Sequence, residues 1–414
     1  MAHQSISTIP ELLLLAALVA IAARRIHVPY TVALVLTGLA IGAGDFLSVF
    51  LTPDLILLVF LPPLLFEGAL AMDLTELRRR WLGTGAITVV GVLITAVATA
   101  LLLWWFTPLD LKLAVLLAVM LSATDPVSVI ATFREHEAPN GLRTLVEGES
   151  IFNDGLAIVL FEVALVEAFP GGAATSAGHV IYDVLKSIGI GIITGLVSGY
   201  LIHQLMRPVW DHMVEVMLSI VLAYGSYLLA DDLGGSGPIA VAVAALFVGN
   251  YSPGQAMSPR TQHTLTDFWE IVAFLINSAL FLLIGLDVRT RHLAEPDVLL
   301  TILVASIGLL AGRALAVYGV LGPIGKFRGE PAIPRAWLHV AFWGGLRGSV
   351  PIALALTLVD EQTQFAGMDA QAIVFGAVVV SLVLQGLTFG PLLRRTGIAQ
   401  GEQDAVEAPQ QVSA

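Results

Sequence analysis

The chain has 414 residues, 57% of them hydrophobic and 13% charged, with a mean hydropathy of +0.87 and a formal net charge of −12. A soluble protein needs roughly a quarter of its residues charged to wet its surface, which excludes secreted enzymes, cytosolic enzymes and nucleic-acid binders and indicates an all-α polytopic membrane protein. With no cysteine, disulfide scaffolds, thiolate metal sites and cysteine catalysis are excluded too.

Crossing ~30 Å of hydrocarbon takes about 20 predominantly apolar residues in a helix. Such runs predict thirteen transmembrane helices, at about 11–23, 29–47, 53–72, 81–106, 111–133, 149–169, 181–206, 213–230, 237–251, 268–287, 297–321, 336–359 and 370–393. No Lys or Arg precedes the first run, so a cleaved signal is not expected. Residues 396–414 are polar with scattered acids and read as a short disordered tail behind a transmembrane domain spanning 1–395. On the seventh run Gly191, Gly195 and Gly199 share one face and read as a helix-packing surface.

Lys and Arg collect on the cytoplasmic side of alternate loops. With the N-terminus outside, Arg24, Arg25, Arg78, Arg79, Arg80, Arg134, Arg143, Arg207, Arg260, Lys326, Arg328 and Arg335 all fall inside, as do Arg394 and Arg395 in the tail. These charges read as topology signals without chemistry. The C-terminus is then cytoplasmic.

Thirteen helices divide as two six-helix repeats, about 11–169 and 213–393, joined by a linking helix at 181–206. An odd central helix inverts the second repeat relative to the first, a construction used by secondary transporters with sites at broken helices near the midplane. The fifth helix of each repeat carries the matching interruption: Ser122-Ala123-Thr124-Asp125-Pro126 in one, Gly344-Gly345-Leu346-Arg347-Gly348-Ser349-Val350-Pro351 in the other. Pro removes a backbone donor and Gly loosens the helix, so amides and carbonyls are freed there to face an ion.

Six ionisable side chains lie well inside the runs: Glu67, Asp125, Glu149, Asp154, Arg313 and Arg347. Each costs roughly 2.5 to 3.5 kcal/mol at the bilayer centre, and four acids against two bases call for a compensating proton or monovalent cation. Ser150 and Asp154 are four apart on one helix face, with Asn153 beside them. Together with Asp125 and the Thr124 carbonyl they offer only oxygen ligands, which suit hard cations rather than redox metals. Asn153-Asp154-Gly155 resembles a turn, but the apolar run that follows keeps it in a helix. Glu149 is expected to pair with Arg313 as an architectural ion pair, and Glu67 to hold the Asn153 amide away from the cation. His339, alone in the twelfth run, reads as a packing residue.

At these residues the sequence resembles a known family. Phe66-Glu67-Gly68, Ala123-Thr124-Asp125-Pro126-Val127-Ser128-Val129, Glu147-Gly148-Glu149-Ser150-Ile151-Phe152-Asn153-Asp154-Gly155 and Gly344-Gly345-Leu346-Arg347-Gly348 are similar, in order, to the NhaP-type sodium/proton antiporters, relatives of the animal sodium/proton exchangers. The resemblance spans about residues 10 to 395. It implies thirteen helices with the fifth and twelfth broken and crossed, and a homodimer whose core domain moves against a dimerisation domain in the cytoplasmic (inner) membrane. It further implies cation ligands at Asp125, Asp154, Ser150 and Thr124, with Glu67 and Asn153 supporting and Glu149 paired to Arg313. The Asn-Asp pair resembles the branch that exchanges one sodium for one proton, with a role in pH and sodium homeostasis. No cofactor is expected, since Na+, Li+ and H+ are transported substrates. The long regulatory tail of the animal members is missing, so no tail partners are expected.

Three other readings compete. A K+/H+ antiporter of the same fold uses the same ligands. An intramembrane aspartyl protease has a GxGD pattern, which Gly42-Ala43-Gly44-Asp45 spells, but it lies at the end of the second run and the chain has no Pro-Ala-Leu sequence. A passive channel needs a continuous polar pore, whereas the polar residues here cluster at one depth.

Overall fold

The computed structural model describes residues 2–26, 28–42, 51–125, 127–169, 177–209, 211–287, 293, 295–324, 332–358 and 363–398. Pro126, the GxGD aspartate, the ends of the second and twelfth predicted runs and most of the predicted tail lie outside the described residues.

Apart from one two-residue-stranded hairpin, the described elements are helices. In chain order these are α1 (Ala2–Ile26), α2 (Tyr30–Gly42), α3 (Leu55–Leu70), α4 (Leu74–Arg79), α5 (Trp81–Phe106), α6 (Leu111–Met120), α7 (Val127–Glu135) and α8 (Asn140–Ala168). They continue with α9 (Ala177–Met206), α10 (His212–Asp232), α11 (Gly237–Tyr251), α12 (Pro259–Asp287), α13 (Pro296–Ile324), α14 (Arg335–Trp343), α15 (Ser349–Leu356) and α16 (Ala370–Arg395). Among the described residues six helices are long and apolar enough to cross a membrane, and five more are apolar but shorter. Large apolar side chains stand exposed around the outside, Trp105, Leu185 and Ile193 each more than half so, as suits a surface solvated by lipid rather than water.

The predicted runs fall on these helices with instructive differences at their ends. The sixth run was expected from Glu149, yet α8 begins at Asn140. Its first turns hold Arg143 and Glu147, paired at 2.6 Å, and their charge hides from hydropathy a helix that protein rather than lipid surrounds. Short polar caps fix several starts: Asp110 accepts from Leu113 N at 2.8 Å, Asp211 from Met213 N at 2.9 Å and Asp369 from Gln371 N at 2.9 Å. The hairpin before α16 pairs Gln364–Phe365 with Met368–Asp369 through Ala366 (φ 53°) and Gly367 (φ 84°), a two-residue turn that requires positive φ at both positions.

Small residues set the closest packing. On α13, a Cβ added to Gly312 would stand 2.6 Å from Thr95 Cα of α5, and one on Gly308 would stand 2.8 Å from Thr99 Cα. The α2–α12 contact runs through Gly38 and Gly285, each of whose added Cβ would come within 2.9 Å of the other's Cα. Gly191, Gly195 and Gly199 of α9 lie against Ile239, Val243 and Phe247 of α11, so the packing surface expected on the seventh run is used within the chain. His339 likewise packs, its ring against Tyr318 and its Nδ1 2.7 Å from the Tyr318 hydroxyl.

Candidate cation site

Two of the predicted runs are interrupted. Helix α6 ends at Met120 and α7 begins at Val127, leaving 121–125 unwound; α14 ends at Trp343 and α15 begins at Ser349, leaving 344–348 unwound. The two unwound stretches meet, with Asp125 N donating to Leu346 O at 2.8 Å. Pro351 plays a different part from the one its sequence position suggested. It is the third residue of α15, where its missing N–H would have had no intrahelical partner, so the glycines open the chain and the proline starts the next helix.

Interrupting two helices exposes two positive and two negative helix ends, and charged side chains answer them. Asp125 Oδ1 accepts from Val127 N at 2.8 Å at the start of α7. A Cβ on Gly348, the residue ahead of α15, would fall on the Asp125 side chain, so this carboxylate caps the start of α7 and lies close to the start of α15. Arg347 Nη1 donates to Ser122 O at 2.6 Å and Ala123 O at 3.2 Å, beyond the C-terminal end of α6. Arg313 donates to Ala341 O near the end of α14 through Nη2 at 2.8 Å. The same guanidinium grips Glu149 with both nitrogens, Nη2 to Oε2 at 2.7 Å and Nη1 to Oε1. Glu149 is 3% exposed and Arg313 5%, so the expected pair is a dry, bidentate one. Gly345 is needed beneath it, because a Cβ there would stand 2.8 Å from Arg313 Nε.

Helix α8 brings the remaining groups. Ser150 Oγ donates to Thr124 O, which keeps a second lone pair. Asp154, one turn on, is buried. Asp125, Asp154, Ser150 and Thr124 line a cavity of ≈ 60 Å³ together with Glu67, Asn277 and Gly348. That volume holds a cation with a few waters, and its donors are all oxygens.

The geometry departs from expectation at five residues. Asn153 does not face this cavity: its Nδ2 donates to Ser122 O at 3.3 Å and Thr124 Oγ1 at 3.1 Å, so it braces the unwound stretch. Glu67 does not hold that amide but accepts from Arg134 Nη2 at 3.1 Å. Arg347 and Gly345 line a separate cavity of ≈ 20 Å³ with Ser381 and Gln385, behind the unwound stretches. Finally, Arg134, read from the sequence as a topology signal, also binds Glu270 and lines a wider cavity that shares Glu67 with the site. Its distance from Asp125 along the chain concealed this, because α7 carries it back toward Glu67. Asn277 was missed as well, although an amide in an otherwise apolar run was a visible signal.

The family model described as "Sodium/hydrogen exchanger, transmembrane" matches residues 12–395. The Na+/H+ antiporter ApNhaP of Aphanothece halophytica is 40% identical over 375 residues, covering 90% of this chain and 70% of that protein. The Na+/H+ antiporter NhaH of Halobacillus dabanensis is 33% identical over 404 residues, covering 94% and 97%. The solved sodium proton antiporter MjNhaP1 of Methanocaldococcus jannaschii superposes with a TM-score of 0.77 at 23% identity over 95% of this chain and 99% of that one, a likeness of fold. These relatives are transporters rather than enzymes. Matched across nearly its whole length, the chain is an integral membrane protein of the sodium/hydrogen exchanger family, of the NhaP antiporter type.

Proposed function

We propose that the protein exchanges Na+ or Li+ for H+ across the cytoplasmic membrane by alternating access, with Asp154 and Asp125 as the site for which cation and proton compete. The observation that carries this is the ≈ 60 Å³ cavity in which Asp125, Asp154, Ser150 and Thr124 converge. A dehydrated cation needs such a set of oxygens to replace its water, and a proton on Asp154 removes the charge that holds it there.

One-for-one exchange follows if Asp154 alone alternates between proton and cation. Each half-cycle then carries one positive charge on the same carboxylate. Asn153 is neutral and cannot take a second proton. The exchange is then electroneutral.

Thirteen crossings in two inverted repeats, 11–169 and 213–393 about the linking helix 181–206, fit the packing. If each crossing corresponds to the one seven later, α2 matches α11 and α3 matches α12. The α2–α12 contact then becomes the α11–α3 contact, and α5–α13 maps onto itself; all three are extensive. The interrupted pairs α6/α7 and α14/α15 match likewise, and the Asp125–Leu346 backbone hydrogen bond between their unwound stretches supports a crossing there. We further propose a homodimer through α9, the least buried of the long apolar helices, with the N-terminus outside, the transmembrane domain ending near 395 and 396–414 cytoplasmic.

The test is sodium-driven proton flux in proteoliposomes, repeated with lithium and potassium. Asp154→Asn should abolish it while leaving a folded protein, and exchange above one-tenth of the parent rate sinks the assignment. Asp125→Asn should behave alike. A rate that follows an imposed diffusion potential rules out electroneutral exchange. Flux with potassium alone makes the protein a K+/H+ antiporter.

A further inference from the structure

The cation cavity adjoins a wider one of ≈ 660 Å³, and the two share four lining residues: Glu67, Val127, Ile130 and Asn277. These side chains form the throat between them. Exposed side chains of Arg134, Glu270 and Arg394 stand around the wider cavity, which makes it a vestibule on the face where α16 ends. With Val127 and Ile130 apolar, the polar atoms a passing ion meets in the throat belong to Glu67 and Asn277.

Asn277 is 5% exposed, and its Oδ1 is a buried oxygen with no hydrogen-bond partner among the described residues. A dry, unpaired amide oxygen is costly and uncommon, and packing alone does not call for one in an apolar helix. Next to it Arg134 divides itself between two carboxylates. It reaches Glu67 at 3.1 Å and holds Glu270 more closely. Glu67, Arg134 and Glu270 thus form one linked cluster beside the throat, and Arg394 and His136 also line the vestibule.

We propose that Asn277 Oδ1 is an access ligand for the monovalent cation, meeting it in the throat before it reaches Asp125 and Asp154, and that Arg134 is a tethered cation displaced from Glu67 as it passes. The proposal rests on the antiport reading above. A carbonyl oxygen is the hard, neutral donor that can replace one water of a sodium or lithium ion. Displacement leaves Arg134 paired, because Glu270 keeps it, so the guanidinium gives up only its longer bond. When the ion has gone, Arg134 returns and Glu67 is again neutralised.

The test measures the KM for sodium in proteoliposomes of known orientation, offering sodium on one face at a time. Asn277→Leu keeps the shape and removes the oxygen. It should raise the KM about tenfold on the face that carries Arg134, the effect of one lost ligand, and by much less from the opposite face. Asn277→Asp restores an oxygen at that position and should restore the KM. Arg134→Gln removes the competitor and should lower the same KM several-fold. Opposite shifts from two neighbouring residues are not produced by loss of packing. A parent-like KM in Asn277→Leu, an equal rise from both faces, or a higher KM in Arg134→Gln overturns the proposal. A parent protein that exchanges no cation for protons overturns the antiport reading instead, so the two failures are separate.

Discussion

Glu149 and Arg313 illustrate what single residues do here. Both are buried and bound bidentately, and removing one partner of such a pair costs roughly 3–5 kcal/mol because the other charge is stranded. Glu149→Gln and Arg313→Leu should each lower the thermal midpoint of the detergent-solubilised protein, and the double variant should lie above either single. Midpoints equal to the parent's in both singles exclude the pair. This pair was legible in the sequence, since an acid and a base inside membrane runs need each other. The Glu67–Arg134 contact was not, because Arg134 also satisfies the rule that places basic residues on the cytoplasmic side, and a charge that serves one purpose hides the other. The part of Asn153 was half legible. Its place beside Asp154 follows from helical spacing, but which of its neighbours takes the amide depends on how the unwound 121–125 stretch turns, and no local pattern encodes that.

At the level of elements, the interruptions were readable because Gly and Pro have few other uses inside an apolar run. The division of labour between them was not: Gly348 makes room, Pro351 begins a helix. A Cβ at Gly348 would occupy the Asp125 side chain's place, so Gly348→Ala must push that carboxylate off the starts of α7 and α15. We expect sodium exchange to fall by at least about tenfold, the cost of a ligand displaced by around an ångström, with a normal yield of folded protein. Gly225→Ala, on α10 with open space around the added methyl, is the control and should exchange like the parent. A Gly348→Ala protein with parent-like flux would show that the carboxylate has freedom the close fit denies it. The early start of α8 is the complementary lesson, because hydropathy finds helices that face lipid and overlooks turns such as Arg143–Glu147 that face protein.

For the whole molecule, competition at a single carboxylate makes a quantitative claim about pH. If one proton competes with one sodium for Asp154, the apparent sodium KM should rise about tenfold for each pH unit lost on the acid side, and transport should slow at high pH, where protons are scarce. Sodium-dependent flux measured from pH 5 to 9 checks this; a hundredfold rise per unit would mean that Asp125 also releases a proton, and exchange would be electrogenic. The helical membrane architecture was the most legible level of all, since run lengths and polar interruptions each point to it, while the orientation drawn from the basic loops belongs to the proposal. The dimer face is the exception, as an apolar surface that meets a second subunit and one that meets lipid are written in the same residues.

The groups around the cation cavity are fastened chiefly to one another. Asp125 N holds Leu346 O, Ser150 Oγ holds Thr124 O, Asn153 holds Ser122 O, and Arg347 holds Ser122 O and Ala123 O. A cage tied to itself keeps its shape whichever way it is turned. Under the proposed antiport, an ion bound in it would experience the same well from either side of the membrane, so the exchange would have no built-in direction and reversing the gradients would reverse the traffic.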